Sequence, residues 1–289
     1  MSEPDVVVLG SANLDVVFAV PSIPAPGETV LAAAPAQHLG GKGLNQAVAA
    51  SRAGAVTSFL GALGDDAAAG ELLAGLVESG VDASGVRRVA GPSGTAWIAV
   101  DAGGENAIVV APGANALMTS LTDAERSVIA AARVLVMQLE IPLSIVAEAV
   151  GVAAAADTVV VLNAAPARTL DEPVWGGVGI LVVNELESEA LGPHVPSGLA
   201  VVTTMGARGA RWGGPNGEGS VTAPAADVVD TTGAGDTFTG VLSAGLAADV
   251  PLPGAVERAV VAATLSVETE GAVPSIPHRE QVDRRMATG

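Results

Sequence analysis

Three observations predict an α/β fold built on a mainly parallel central sheet, with a small β-sheet lid. Short apolar runs alternate with Ala/Leu-rich segments of helical period, the pattern of repeated βα units. Five of those runs end in polar residues, as they do where ligands bind outside the carboxyl ends of parallel strands. Two stretches, about 16–40 and 91–112, break the alternation and lack helical period. The 289 residues suit one large domain, 1–289, with those two stretches as its lid.

Taken in order, Val6–Leu9 is the first strand and runs through Gly10 into Ser11-Ala-Asn13-Leu-Asp15. Asn13 and Asp15 lie two apart, so in extended backbone they point the same way. An amide beside a carboxylate suits the vicinal hydroxyls of a sugar; an Asx-type turn explains the pair equally well. Gly40-Gly-Lys42-Gly-Leu-Asn45 then opens a helix through Gln46, Ala47, Val48 and Ala50. It is not a Walker A loop, because Gly43 stands where Ser or Thr should follow the lysine. In the second lid stretch Ala96, Ile98 and Val100 alternate with Trp97 and Ala99. The chain turns at Ala102–Glu105 and returns through Ile108–Val110, a hairpin with Trp97 facing away from Ala96 and Ile98. Such a sheet edge needs covering, which predicts a homodimer through the lid.

The later strands are Val134–Met137, leading to Gln138-Leu-Glu140; Val159–Leu162, ending at Asn163; Ile180–Val183, ending at Asn184; and Val201–Val202, ending at Thr203-Thr204. Asn184-Glu-Leu-Glu187 starts a helix in which Glu187 either reaches a hydrated magnesium ion or is an ordinary first-turn acid. Gly206-Ala-Arg208-Gly209 reads as a tight loop whose backbone could approach phosphates, and Asp249–Pro253 as a plain loop.

The chain is organised around Asp230-Thr-Thr-Gly-Ala-Gly-Asp236. From Ala234 onward, Phe238, Val241, Leu242 and Leu246 give the spacing of a helix with one buried face. Gly233 and Gly235 flank its start, where unpaired N–H groups and the positive end of the helix dipole make an anion site. A carboxylate there, Asp236, either complements the dipole or takes a proton from a nucleophile attacking a phosphoryl group. Phosphoryl transfer needs that second combination of base and anion-binding donors.

Composition narrows the field. The absence of Cys excludes disulfides and cysteine-based zinc sites, and the three histidines have no metal-ligand spacing. A net charge of −18 argues against nucleic acid. No uncharged apolar run reaches membrane-spanning length, and the start, Met-Ser-Glu-Pro-Asp, has no signal-peptide pattern; a cytoplasmic location is expected. Lys42 is the single lysine, the other basic residues all being arginine. A nucleotide would therefore be held by backbone N–H groups and a divalent cation.

These stretches, with Pro26-Gly-Glu28-Thr29 and Asn163-Ala-Ala-Pro166-Ala167, resemble the ribokinase-like (PfkB) carbohydrate kinases over essentially the whole chain. The resemblance implies a mainly parallel sheet flanked by helices on both faces, with a small β-sheet lid. The implied activity is transfer of the γ-phosphoryl group of ATP to the primary hydroxyl of D-ribose. Asp236 would be the base, and the backbone of Gly233, Ala234, Gly235 and Asp236 the anion hole. Asn13, Asp15, Gly41, Lys42, Asn45 and Glu140 match sugar-binding positions. Asn184, Thr204, Gly206 and Gly209 match nucleotide positions, and Glu187 falls in the Asn-x-x-Glu motif associated with Mg2+. Asp230, Thr232, Ser266, Thr269, Gly271 and Ser275 match the positions of a K+ site. Gly233 stands where alanine is frequent among ribokinases.

Another free sugar such as deoxyribose or fructose would fit the same motifs. A nucleoside is disfavoured by three Phe, three Trp and no Tyr to stack a base. Few basic residues speak against a sugar phosphate. A non-catalytic sugar sensor would gain nothing from Asp236 in an anion hole.

Overall fold

The computed structural model describes residues 3–215 and 217–288. Its strands are β1 (Val6–Leu9), β2 (Asn13–Ala19), β3 (Ala36–Gly40), β4 (Thr57–Leu63), β5 (Val86–Arg88), β6 (Gly94–Val100), β7 (Asn106–Ala111), β8 (Val134–Met137), β9 (Val159–Asn163), β10 (Ile180–Asn184), β11 (Ala200–Thr204), β12 (Ala210–Gly213) and β13 (Gly219–Val221). The helices are α1 (Lys42–Arg52), α2 (Ala67–Glu78), α3 (Asp123–Ala131), α4 (Leu143–Ala155), α5 (Glu172–Trp175), α6 (Glu185–Leu191), α7 (Ala234–Ala247), α8 (Leu252–Ser266), α9 (Ala272–Ser275) and α10 (Arg279–Thr288).

Nine strands form the central sheet in the order β13-β12-β11-β10-β9-β8-β1-β4-β5. All neighbours pair in parallel except β11–β12 and β12–β13. The predicted mainly parallel sheet is thus present, and its strands show why they read as unbroken apolar runs: both faces are covered. Val6, Val8, Val134, Val136 and Val182 pack on one side with α1, α2, α7 and α8. Val7, Leu9, Leu135, Met137 and Val183 pack on the other with α3 and α4.

The second sheet has four strands, β3-β2-β6-β7. It begins at Asn13 rather than residue 16, and residues 20–35 contribute no strand to it. The expected hairpin is there, with Trp97 opposite Val109, and Trp97 is exposed where Ala96 is buried.

Two local readings change. Asp249–Pro253 is not all loop, because α8 starts at Leu252, with Pro253 at the first turn where a missing N–H costs nothing. The α7 helix has more than one buried face: every residue from Asp236 to Ala244 is buried. It lies on the sheet between α1 and α8, so neighbours surround it. Gly240 permits the α1 contact, since a β-carbon there would come within 2.5 Å of Ala49 Cβ. Of the hydroxyls this buries, Thr239 donates to the Gly235 carbonyl and Ser243 to the Thr239 carbonyl, whereas Thr237 Oγ1 has no hydrogen-bond partner. Among the described residues, no helix is long and apolar enough to cross a membrane.

Candidate active site

The carboxyl ends of β8, β9, β10 and β11 converge with β2, the start of α1 and the start of α7. Where β1 passes into β2, Asn13 lies between two glycines, paired with Gly40 on one side and Gly94 on the other. Both glycines are required by side chains folding over them. A β-carbon at Gly40 would sit 2.1 Å from Asp15 Oδ2, and one at Gly94 would sit 2.1 Å from Asn13 Oδ1. Asn115 pins Asn13 by donating to its Oδ1 at 2.8 Å.

Gly41 adopts φ 87° before α1, a conformation suited to glycine, and delivers Lys42, Asn45 and Gln46 into the centre. Glu140, just past β8, accepts the Ser11 hydroxyl at 2.6 Å and the Lys42 backbone N–H at 3.2 Å. Asp236 is 7% exposed, and both its oxygens are held by amides. Asn45 donates to Oδ2 at 3.0 Å and Gln46 to Oδ1 at 2.9 Å.

At the N-terminus of α7, Gly233 is left-handed with φ 76°. A β-carbon there would also lie 2.9 Å from Ala272 Cβ, so the departure from alanine has a steric reason in this chain. Ala234 N–H donates to the Thr231 carbonyl at 3.3 Å. The N–H groups of Gly233, Gly235 and Asp236 have no protein acceptor among the described residues. The open donors expected of an anion hole are therefore these three, with Ala234 committed elsewhere.

Charge is dense here. Asp15 is pushed up to about 7 from its ordinary 3.8, by burial first and then by the charges of Glu140 and Asp236. Asp15 Oδ1 and Asn45 Oδ1 are buried without any hydrogen-bond partner. Lys42 is held above its ordinary value, chiefly by Asp236 against the opposing effect of burial, with help from Glu140 and Glu187. The one lysine in the chain thus stands among three carboxylates.

Two adjoining cavities open beside Asp236. A polar recess of about 240 Å³ is lined by Lys42, Asn163, Asn184, Glu187, Gly233 and Asp236. A largely apolar one of about 630 Å³ is walled by Gly206, Ala207, Gly209, Ala225, Val228, Phe238 and Val260. Thr204, Thr231 and Gly235 border both. The Gly206–Arg208 turn matches the tight loop read from the sequence, and Gly209 (φ 89°) must be glycine because a β-carbon would meet the Val221 carbonyl at 1.9 Å.

Glu187 is the first-turn acid of its helix, placed beside the polar recess. Its Oε2 accepts the Asn184 N–H at 2.8 Å in a capping box, and it also lines the polar recess. Burial raises its pKa, partly offset by the Asn184 N–H and by Lys42. No group of three or more His, Cys, Asp or Glu side chains able to hold a metal occurs among the described residues.

Of the six positions matched to a K+ site, Asp230, Thr232 and Gly271 come directly together. Asp230 accepts the Thr232 hydroxyl at 2.7 Å, the Thr232 N–H at 2.9 Å and the Gly271 N–H at 2.8 Å. Burial alone would raise its pKa, but these donors hold it below the ordinary value. The Ser266 and Ser275 hydroxyls are turned back to the Ala263 and Ala272 carbonyls, while Thr269 N–H meets the Ser266 carbonyl at 3.4 Å.

Residues absent from the sequence-based set also hold the site: Ser11, Gln46, Asn115, Gln138 and Asn163. Gln138 and Asn163 already stood out as polar strand ends, and Gln46 ended the glycine-rich motif. Asn115 had no local signal.

Residues 3–279 match the model of the pfkB family of carbohydrate kinases. A ribokinase of Schizosaccharomyces pombe is 36% identical over 96% of this chain and 96% of its own length. A deoxyribokinase of Salmonella typhi is 33% identical, covering 98% of this chain and 99% of its own. The solved structure of Arabidopsis thaliana ribokinase complexed with ribose and ATP superposes with a TM-score of 0.90 at 30% identity, covering 98% of both chains.

Proposed function

The chain belongs to the pfkB family of carbohydrate kinases, and we propose that within it this protein phosphorylates D-ribose at the primary hydroxyl, giving ribose 5-phosphate with ATP as donor. One observation carries the reading. Asp236 is a buried carboxylate fixed by two amides at a helix N-terminus with open N–H donors, beside two buried oxygens, Asp15 Oδ1 and Asn45 Oδ1, that lack partners. Unpaired buried acceptors are rare in folded proteins, and hydroxyl donors of a sugar would satisfy them.

In the reaction, Asp236 takes the proton of the primary hydroxyl as its oxygen attacks the γ-phosphorus. The new O–P bond forms while the bond to the β-phosphate oxygen breaks, and ADP departs with that electron pair. The N–H groups of Gly233, Gly235 and Asp236 receive charge building on the phosphoryl oxygens. Lys42 bonds sugar hydroxyls and offsets the negative charge gathered around it. Asn13, Gly41 and Glu140 complete the sugar side. The larger cavity takes the nucleoside, bordered by Thr204, Gly206 and Gly209, with Asn184 at the phosphate end.

Glu187 would hold Mg2+ through water. Its Oε2 is taken by the Asn184 N–H, Oε1 accepts no hydrogen bond among the described residues, and the side chain lines the polar recess, where an ion that keeps its waters would fit. When bound, the ion supplies charge neutralisation to the phosphates. For K+, Asp230, Thr232, Ser266, Thr269, Gly271 and Ser275 would offer mainly backbone oxygens, since the Asp230 carboxylate is occupied as an acceptor.

The four-stranded sheet acts as a lid that excludes water on closure. Its β7 edge exposes Ile108, Val109 and Val110, with Trp97 alongside, which supports a homodimer through this sheet. Deoxyribose is the competing acceptor, because the identity to a deoxyribokinase is nearly that to a ribokinase.

An ADP-release assay over ribose, deoxyribose, fructose and adenosine, in K+ and in Na+, tests the reading. Ribose should give the highest kcat/KM, and Asp236→Asn should abolish turnover while ribose still binds. An Asp236→Asn enzyme keeping most of its kcat would remove the base.

A further inference from the structure

The groups that hold Asp236 extend into a chain of amides with a single direction. Gln46 and Gln138 are each 0% exposed, and neither lines the cavities described above. Gln46 Nε2 donates to Asp236 Oδ1 at 2.9 Å and to Asn163 Oδ1 at 3.0 Å. Asn163 is itself turned by donating from Nδ2 to the Val182 carbonyl at 3.2 Å, so its oxygen faces Gln46. A carboxylate can only accept, which obliges Gln46 to present its NH2 group to Asp236. Gln46 Oε1 is then left to accept, and Gln138 Nε2 donates to it at 2.7 Å.

The direction ends in an unpaired atom. Gln138 Oε1 is buried with no partner, packed where a β-carbon on Gly10 would come within 2.0 Å. Turning the Gln138 amide over would set two amide oxygens against each other and release Gln46 to rotate. A lone buried acceptor is therefore retained as the consequence of keeping every donor pointed toward the base.

Resting on the reading of Asp236 as the base, we infer that Gln46 is a positioning residue for that carboxylate and that Gln138 fixes the polarity of Gln46. Asn45 on Oδ2 and Gln46 on Oδ1 together set the plane of the carboxylate against the N-terminus of α7. Each oxygen accepts more than one hydrogen bond, so capacity for the sugar's proton remains. Without Gln138, Gln46 can turn its oxygen to Asp236, and the carboxylate swings away from the in-line geometry that phosphoryl transfer requires.

The test uses Gln46→Met and Gln138→Met, which keep length and volume but carry no amide, with thermal melts to establish folding. Each should lower kcat for ribose about tenfold or more while both KM values stay within about twofold, since a misplaced reacting group costs on that scale. The double variant should be no slower than Gln46→Met alone, because both act through one carboxylate. Gln138→Glu should recover activity near pH 7: full burial keeps its carboxyl neutral, and a neutral carboxyl still donates. A purely structural role would lower melting temperatures without this split and without rescue. Folded Met variants with wild-type kcat, or a Gln138→Glu enzyme no better than Gln138→Met, would overturn the inference. Should Gln46→Met fail to fold, the two Gln138 variants decide alone. An active Asp236→Asn enzyme sinks the base itself; an inactive one with unaffected amide variants sinks only the relay.

Discussion

Asp15→Asn should make the ligand-free enzyme more stable, by an amount that grows with pH. Burial, reinforced by the charges of Glu140 and Asp236, pushes the Asp15 carboxyl up to about 7 from its ordinary 3.8. Between those values the folded protein keeps a proton that the unfolded chain has released. Folding then binds protons, so stability falls as pH rises from about 4 to about 7 and levels off above that. At about 1.4 kcal/mol per pKa unit, the full penalty is about 4 kcal/mol, and about 2–3 kcal/mol of it develops between pH 5 and pH 8. An asparagine has no proton to lose and escapes that part. For a domain of this size the gap in Tm between variant and wild type should therefore widen by about 4–8 °C over the same pH interval. Scanning calorimetry of both proteins at pH 5 and pH 8, without sugar, measures it. A gap equal at the two pH values would refute the argument, because a difference in packing or hydrogen bonding alone carries no proton. The same titration predicts that wild-type ribose affinity rises through pH 7, as the ionised carboxylate becomes the better acceptor, and that Asp15→Asn flattens this dependence.

The other expectations are simpler to read out. Lys42→Ala should raise KM for ribose about ten- to hundredfold, the scale of a lost charged hydrogen bond, and an unchanged KM would remove the ammonium from the sugar site. Val109→Lys, placing charge on the exposed β7 edge opposite Trp97, should shift the sedimentation mass from dimer to monomer; a wild-type monomer, or a variant that stays dimeric, would count against the lid interface. Replacing K+ by Na+ at constant ionic strength should lower kcat severalfold, and Asp230→Asn, which weakens the bonds joining Thr232 to Gly271, should blunt that difference. Equal rates in the two salts would remove the monovalent cation from the account.

The legibility of this protein divides along sequence distance. The βα alternation, the strand ends and the glycine-rich helix starts at residues 41 and 233 were readable, because period and turn chemistry are set by residues a few positions apart. Readings lost at boundaries, such as the lid sheet beginning at Asn13 and α8 at Leu252, failed where local pattern is weakest. The helix start singled out Asp236 and the family resemblance implied its role as base, while Glu187 shows a limit of such assignments, since one side chain both caps a helix and lines the recess.

The sequence by itself determined that strands end in polar groups, that a carboxylate stands in the first turn of a helix with a glycine-rich start, and that one lysine lies at the other glycine-rich start. Only the tertiary structure decided which groups meet. Gln46 and Asp236 are 190 residues apart, Gln46 and Gln138 92 apart, and no local period records that their amides and carboxylate align. It likewise decided that α7 is buried all round, that Gly233 must lack a β-carbon beneath Ala272, and that Asp15 is desolvated enough to titrate near neutrality. Hydrogen-bond direction and desolvation depend on what lies across space from a side chain, and folding alone places those neighbours.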